Sequence, residues 1–344
     1  MNTADNTRGL IKGLSYAFPT SGAIRLGKVV TRTKQGKTIR LPFKDDEFTL
    51  TTKIKDGNGD WQRHPLDGQL RETHGEVVTE AGAESAARKL RKIPVTIVFD
   101  RPELNMGEQF AAFSSTGSPL CVGDGQSARR RQEDGSVATE TCPGARHCKF
   151  GEVHRCDAFL RLLVRVQGQA ETAPPFILRT GSVNAVTDNR ATLEHWATMY
   201  GGRLAGLPFN FVLDAKQTAL SHQSVFYFGR LEPAFASVAE GARILRDQRK
   251  DDADLGIDRR AAEQSLLDLR ANGDFAEDGA GDGEQFDDLL AGRFSDELDG
   301  EQRSTTFIGA VQSAAPRQAG AAAVAQLAAM LNSKAATEAA DQPA

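Results

Sequence analysis

Cys121, Cys142, Cys148 and Cys156 are the only cysteines in the 344-residue chain, and all four fall within 36 residues. Thiolates are soft ligands, and four of them brought together by two turns make the tetrahedral cage that Zn2+ favours. The spacings are C-x20-C, C-x5-C and C-x7-C, none of them the C-x2-C of a zinc ribbon. Pro143-Gly144 and Gly151 supply the bends such a knuckle requires, and His147 and His154 stand nearby as substitutes for a thiolate. The alternative is a set of incidental buried thiols, cysteine being common in cores. Against it, the segment is polar and loop-like, and a metal staple would give it the cohesion its few apolar residues do not. Four thiolates leave no coordination position for water, so such a zinc would be structural rather than catalytic.

Gly123-Asp124-Gly125 follows Cys121 directly, and Arg129-Arg130-Arg131 come next. The glycines do not make a phosphate loop, because the G-x-x-x-x-G-K-[ST] pattern is missing. A turn after a ligating cysteine accounts for them. The three arginines are then expected to project from one side of the knuckle. There they can meet phosphates or the carboxylates of a protein partner, or stand as a solvated charge run. No H-E-x-x-H, no G-x-S-x-G and no His-carboxylate pairs at metal-site spacing occur. Glu194-His195 lacks a second histidine four residues away and reads as an ordinary helix pair. Nothing in these residues favours an enzyme or a small-molecule substrate.

The elements that must position these residues are mostly strands. "AIRLGKVVTR" and "KTIRLPF" meet across Lys34-Gln35-Gly36, a hairpin turn. "DGNGDW" (56–61) carries the acidic residues of a calcium loop, but its sixth position is Trp61 where a glycine is needed, so it is read as a second hairpin turn. Residues 75–92 are expected to be helical, and "IPVTIVFD" (93–100) is a buried strand. After the cysteines, "FLRLLVRV" and "PFILRTGSVNAV" read as strands. A helix is expected over 189–200, capped by Asp188 or Asn189 and ended by Gly201-Gly202. "PFNFVLDA" and "SVFYFGRLEP" are two further strands, and 233–270 turns helical. The fold class is α+β: a β-rich body over 1–235 with its zinc-stapled knuckle at 121–156, then a helical extension over 236–270. Residues 271–344 are read as an acidic flexible linker ending in an Ala-rich helix.

Charge divides the chain in the same way. Residues 1–250 hold 35 Lys and Arg against 27 Asp and Glu, whereas 251–300 hold 4 against 16. A mildly basic body followed by an acidic stretch suits a nucleic-acid or anionic partner and a tail that competes for that surface, or simply a solvated linker. The N-terminus has no apolar run of signal-peptide length, and no stretch nears the ~20 apolar residues of a membrane span. The expectation is a cytoplasmic protein without membrane contact, in which structural disulfides are rare.

The order "GAIRLGKV" (22–29), "IPVTIVFD" (93–100), "CVGDGQSARR" (121–130), "CPGARHC" (142–148), "CDAFLRLL" (156–163), "LRTGSVNAV" (178–186) and "GGRLAGLPFNFVL" (201–213) resembles one phage family. It is similar to the recombination directionality factors that accompany large serine integrases in bacteriophages, prophages and related mobile elements. Genome relatives of that family are often labelled only as metal-binding proteins or hydrolases. The resemblance covers roughly residues 10–235 and carries over the four cysteines. It implies a non-enzymatic switch. A serine integrase alone joins attP to attB, and the directionality factor binds the integrase, re-aims its coiled coil and permits attL × attR excision. The partner would be protein, with DNA touched weakly or indirectly.

Two other readings compete. One is a single-stranded-DNA-binding or replication accessory protein, with Gln264-Ser265-Leu266-Leu267-Asp268-Leu269 faintly similar to a sliding-clamp peptide or else an amphipathic helix. The other is a metal-dependent hydrolase, which requires an open metal site with a carboxylate base.

Overall fold

The computed structural model describes residues 9–273, apart from 15, 35–36, 44, 80–85, 115–117 and 218–224. The chain divides into two compact units, Met1–Leu298 and Asp299–Ala344, and the described residues all belong to the first. The linker and Ala-rich helix expected over 271–344 lie outside them from residue 274 onward.

The chain opens with β1 (Gly22–Arg25), β2 (Lys28–Lys34), β3 (Lys37–Phe43), β4 (Thr49–Lys55) and β5 (Trp61–Arg63). Helix α1 (Pro65–His74), β6 (Glu76–Val78), β7 (Ala87–Lys89) and β8 (Lys92–Ile97) follow. A short α2 (Pro102–Asn105) leads into a meander of β9 (Met106–Phe113), β10 (Pro119–Gly123), β11 (Ser127–Arg131) and β12 (Val137–Thr141). After a 3-10 turn at Ala145–His147 come α3 (Lys149–His154), β13 (Asp157–Val166), β14 (Phe176–Thr180) and α4 (Val183–Met199). Then β15 (Pro208–Gln217), β16 (Val225–Pro233), α5 (Val238–Asp254) and α6 (Arg259–Ala271) complete the described chain. This is the β-rich α+β body the sequence predicts.

Twelve strands form one sheet, in the order β12-β11-β10-β9-β13-β14-β1-β4-β5, with β8, β15 and β16 branching from it. The branch arises at β13, whose first half pairs with β9 and whose second half pairs with β8. Only β1 and β14 run parallel within it. The alternation in "DAFLRLLVRV" explains why β13 can be central: Leu160, Leu162, Val164 and Val166 are buried on one face, while Arg161 and Arg165 fall on the other. The main core collects those side chains with Phe48, Leu50, Phe176, Leu178, Phe209 and Phe211, and helices α1 and α4 supply Leu66, Leu70 and Leu193.

Three expectations are corrected. The described residues of 75–92 are not helical. The helix is α1, ten residues earlier, and Gly75 ends it. The Val77-Val78 pair and Ala87–Lys89 then form a hairpin ladder, Glu76 opposite Lys89. The helix expected to begin near 189 begins at Val183, because Ser182 caps it through its hydroxyl, which accepts from the Ala185 amide at 3.4 Å. The cysteine segment is not a loop: residues 119–141 are three antiparallel strands of the main sheet. Both hairpins are present, one closed by Lys34 opposite Lys37. In the other, the Asp56 carboxylate accepts from the Asn58 and Asp60 amides, both at 2.9 Å.

The helices after β16 are no loose extension. α6 is anchored by the Glu263 carboxylate, which is buried and accepts from the Asp100 and Arg101 amides. Asp100 in turn accepts from the Leu204 and Ala205 amides, both at 3.0 Å. Past α6, Asn272 donates to the Ile11 and Leu14 carbonyls, and Gly273 bridges to Gly13. Among the described residues no helix is long and apolar enough to cross a membrane.

Candidate functional site

Antiparallel pairing sets the site. Cys121 on β10 stands opposite Arg130 on β11, and Val122 stands opposite Arg129. Successive residues of a strand point to opposite faces, so the arginine triplet divides. Arg130 shares the face of Cys121, whereas Arg129 and Arg131 share the other face with Val122. The expectation that all three project from one side is therefore corrected by the strand geometry itself.

Asp124-Gly125-Gln126 is the tight turn between β10, which ends at Gly123, and β11. The Asp124 carboxylate accepts from the Gln126 and Ser127 amides, both at 2.8 Å. Those backbone hydrogen bonds, Ser127 foremost, hold its carboxyl below the usual carboxylate range. Gly123 is required by a close approach: a Cβ there would lie 2.9 Å from the Cys142 sulfur. Cys142 directly follows β12, its amide donating to the Gln126 carbonyl at 2.9 Å. Pro143-Gly144 then turns the chain away from the sheet, and Cys148 starts α3, its sulfur accepting from the Gly151 amide at 3.4 Å. Arg155, in the left-handed region at φ 53°, ends α3 and delivers Cys156.

The structure thus brings the four predicted cysteines to one end of one sheet face. Cys121, Cys142 and Cys148 are buried, and Cys121, Cys142 and the half-buried Cys156 pack with Ala112, Ala128, Phe110 and Phe150. The thiols lie within each other's electrostatic reach. Burial, then the neighbouring Cys121, Asp157, Cys148 and Cys142, pushes the Cys156 thiol up to about 12. Burial likewise raises Cys121, against the pull of its hydrogen bond with Arg130. Arg130 is the cluster's cation. It pairs with Glu140 at 2.5 Å, lies 4.4 Å over the Phe150 ring and brings one nitrogen 3.9 Å from the Cys148 sulfur. Burial works against its charge, but the Cys121 hydrogen bond and the Cys121, Glu140 and Cys148 charges raise its pKa. In donor type and number the four sulfurs suit Zn2+. Among the described residues, however, no group of three or more His, Cys, Asp or Glu side chains is arranged to hold a metal ion. His154 stacks on Phe150 at 4.2 Å.

Glu194 and His195 line an open depression on α4 together with Thr198 and Met199. The clamp-like hexapeptide lies within α6, where Gln264 accepts from Arg101 at 3.0 Å and donates to Asp268 at 2.9 Å. Both are ordinary helical surface, the second docked on the body.

Sequence reasoning missed a second set of residues. Ile24-Arg25, Leu160-Arg161 and Leu178-Arg179 repeat the same pair, an aliphatic residue then arginine, in three strands. The repetition was the available signal, since an arginine inside an apolar strand needs a reason.

Comparison with known proteins adds one result. Residues 21–234 match a family model described as Gp3-like, recombination directionality factor-like. No curated protein and no solved structure matches the chain.

Proposed function

We infer that this chain, which belongs to the Gp3-like, recombination directionality factor-like family, binds a large serine integrase of a phage or mobile element and directs it toward attL × attR excision. The observation that supports this reading is the span of the family match. It begins one residue before β1 and ends one residue after β16, so the family unit is the whole β-rich body. Such a factor acts as a regulator, not a catalyst. It shifts a population by binding the excision-competent arrangement of the integrase more tightly than the alternative. Moving that balance from 1:99 to 99:1 takes about a 10⁴-fold difference in affinity. The reading places the protein in the cytoplasm with its integrase, DNA being touched through that partner.

We also propose that Cys121, Cys142, Cys148 and Cys156 hold a structural Zn2+. Bound there, the ion would supply cross-linking without an open position for water. The chain's own residues would do the rest. Gly123 leaves room for the Cys142 sulfur, and the Arg130 guanidinium offsets negative charge on Cys121 and Cys148.

The test of the directionality role is a reporter flanked by attL and attR, combined with the integrase of the same element with and without this protein. Excision only in its presence is expected. No excision, with that integrase active on attP and attB, would overturn the reading.

A further inference from the structure

Among the described residues β2 and β3 pair only with each other and form a sheet of their own. They continue the β1–β4 pair beyond the main sheet. β1 opposes β4 with Arg25 across from Thr49, and after Leu26-Gly27 the same two chain segments meet again with Lys28 across from Phe43. The base of this arm is fixed, because Ile24, Phe48 and Leu50 lie in the main core. Of the carboxylates that follow β3, Asp46 pairs with Lys89 and Arg91 and Glu47 with Arg71, all in the body, while Asp45 accepts from the Asp46 amide at 3.0 Å. Among the described residues no other element packs extensively against β2 or β3. Seven residues in each strand give the ribbon a length of about 24 Å.

Composition changes along the ribbon. Its basal half holds Lys28, Val29, Val30, Leu41, Pro42 and Phe43. Its distal half, 31–34 and 37–40, holds four cations, three threonines and Ile39, with no carboxylate. Register places Arg32, Lys34, Lys37 and Ile39 on one face and Thr31, Thr33, Thr38 and Arg40 on the other. Lys34 stands directly opposite Lys37, a like-charge pair that costs the ribbon stability. A two-stranded ribbon is marginal in water to begin with. A polyanion bound to the arm would offset that repulsion.

The same composition decides between an acidic protein and a nucleic acid. Protein interfaces centre on aromatic anchors and are depleted in lysine, whereas the distal half has no aromatic residue and two lysines. Phosphates are contacted by Arg, Lys and Thr, the residue types present. Shape agrees, since the major groove of B-DNA, about 12 Å wide, admits a two-stranded ribbon. About 24 Å of ribbon matches the axial rise of about seven base pairs. We propose that the β2–β3 ribbon is a direct, sequence-independent contact to duplex DNA, with Arg32, Lys34, Lys37 and Arg40 meeting backbone phosphates. The ribbon lies within the family span, but the contact does not rest on the directionality role, under which DNA is reached through the partner.

The test measures binding of the full chain, without integrase, to a fluorescent duplex of random sequence over a salt series. The wild-type chain is expected to bind at low salt. Replacing the four cations (Arg32→Gln, Lys34→Gln, Lys37→Gln, Arg40→Gln) should weaken binding at least about tenfold and make the slope of log K against log salt shallower by about 3 to 4. A matched variant removes four exposed cations of α5 (Arg243→Gln, Arg246→Gln, Arg249→Gln, Lys250→Gln) and should bind as the wild type does. A trypsin footprint reads the ribbon without any substitution. Duplex should slow cleavage after Arg32, Lys34, Lys37 and Arg40 of the wild-type chain, and not after Arg243 or Arg246. If the ribbon variant unfolds, the footprint decides alone. No duplex binding by the wild type, equal losses in the two variants, or tighter binding to a single strand of the same length would overturn the proposal. So would a ribbon variant that loses integrase binding with duplex affinity unchanged, since the occupant would then be protein. Neither the salt series nor the footprint contains integrase or att sites, so their outcome stands apart from that of the excision reporter.

Discussion

Asn189 sits in the middle of α4, fully buried, with its amide completely engaged. Its nitrogen donates to the Ala185 carbonyl at 2.7 Å and the Gly229 carbonyl at 3.0 Å, and its oxygen accepts from the Leu231 amide at 2.9 Å. One side chain thus joins α4 to the β16 backbone. Asn189→Ala should leave two buried backbone groups unpartnered and cost about 2–4 kcal/mol. The urea midpoint should fall with an unchanged slope, and a loss below about 0.5 kcal/mol would show that the clamp contributes nothing. The sequence does not reveal this role. Asparagine is a favoured helix cap, and the partners that overrule that preference lie 40 and 42 residues away. Arg130 was hidden for a related reason. Among three consecutive arginines only the strand assignment distinguishes the middle one, and that strand lies in a segment that reads as loop.

The elements that were legible are those whose signal is local. "FLRLLVRV", "PFNFVLDA" and "SVFYFGRLEP" carry period-two alternation or dense β-branched and aromatic content, and they became β13, β15 and β16. The 75–92 stretch is rich in Ala, Arg and Lys, which favour helix weakly, and long-range pairing prevailed. The cysteine segment divides at Cys142: β10 to β12 belong to the sheet, whereas 143–155 stand off it in a 3-10 turn and one short helix. That division locates the effect of metal loss. In the full chain Cys142→Ser should lower bound zinc to background and make residues 142–156 protease-sensitive, while β10 and β11 stay protected by their neighbours. Unchanged metal content together with unchanged proteolysis would rule out the structural zinc. Seen from α6, the expected division into body and extension dissolves: Glu263 and Asn272 stitch the last described helix to the turn after β8 and to residues 11–14.

Across the described body the sheet gathers the thiols, with Arg130 among them, and the main apolar core on one face, while Arg129 and Arg131 stand on the other beside a smaller apolar cluster of Ala111 and Phe159. Its acid sensitivity has a definable source. Asp46, between β3 and β4, accepts from Lys89 at 2.7 Å and pairs with Arg91, tying the N-terminal strands to the β7–β8 segment. Burial alone would raise its pKa, but the hydrogen bonds from Lys89 and Arg91, with their charges, outweigh that and lower it from 3.8 to about 2. A carboxyl held lower in the folded state than in the unfolded one adds stability above its unfolded value, and that stability is lost as pH falls toward the folded value. The melting temperature should therefore drop between about pH 4 and pH 2, and Asp46→Asn should flatten that part of the profile. An unchanged profile in the variant would assign the acid sensitivity elsewhere.

Strand β11 serves both faces of the sheet, and this has a consequence for inheritance. A substitution at one of its positions alters one face only, but gaining or losing a single residue between Cys121 and Arg131 would exchange the faces, carrying Arg130 out and a neighbour in among the thiols. Lineages descending from such a chain are free to vary in length at the exposed β11–β12 turn, where the Gln132 amide donates to the Ser136 carbonyl. Between β10 and β11 they are not: there, a change of residue count is expected to cost more than a change of residue identity.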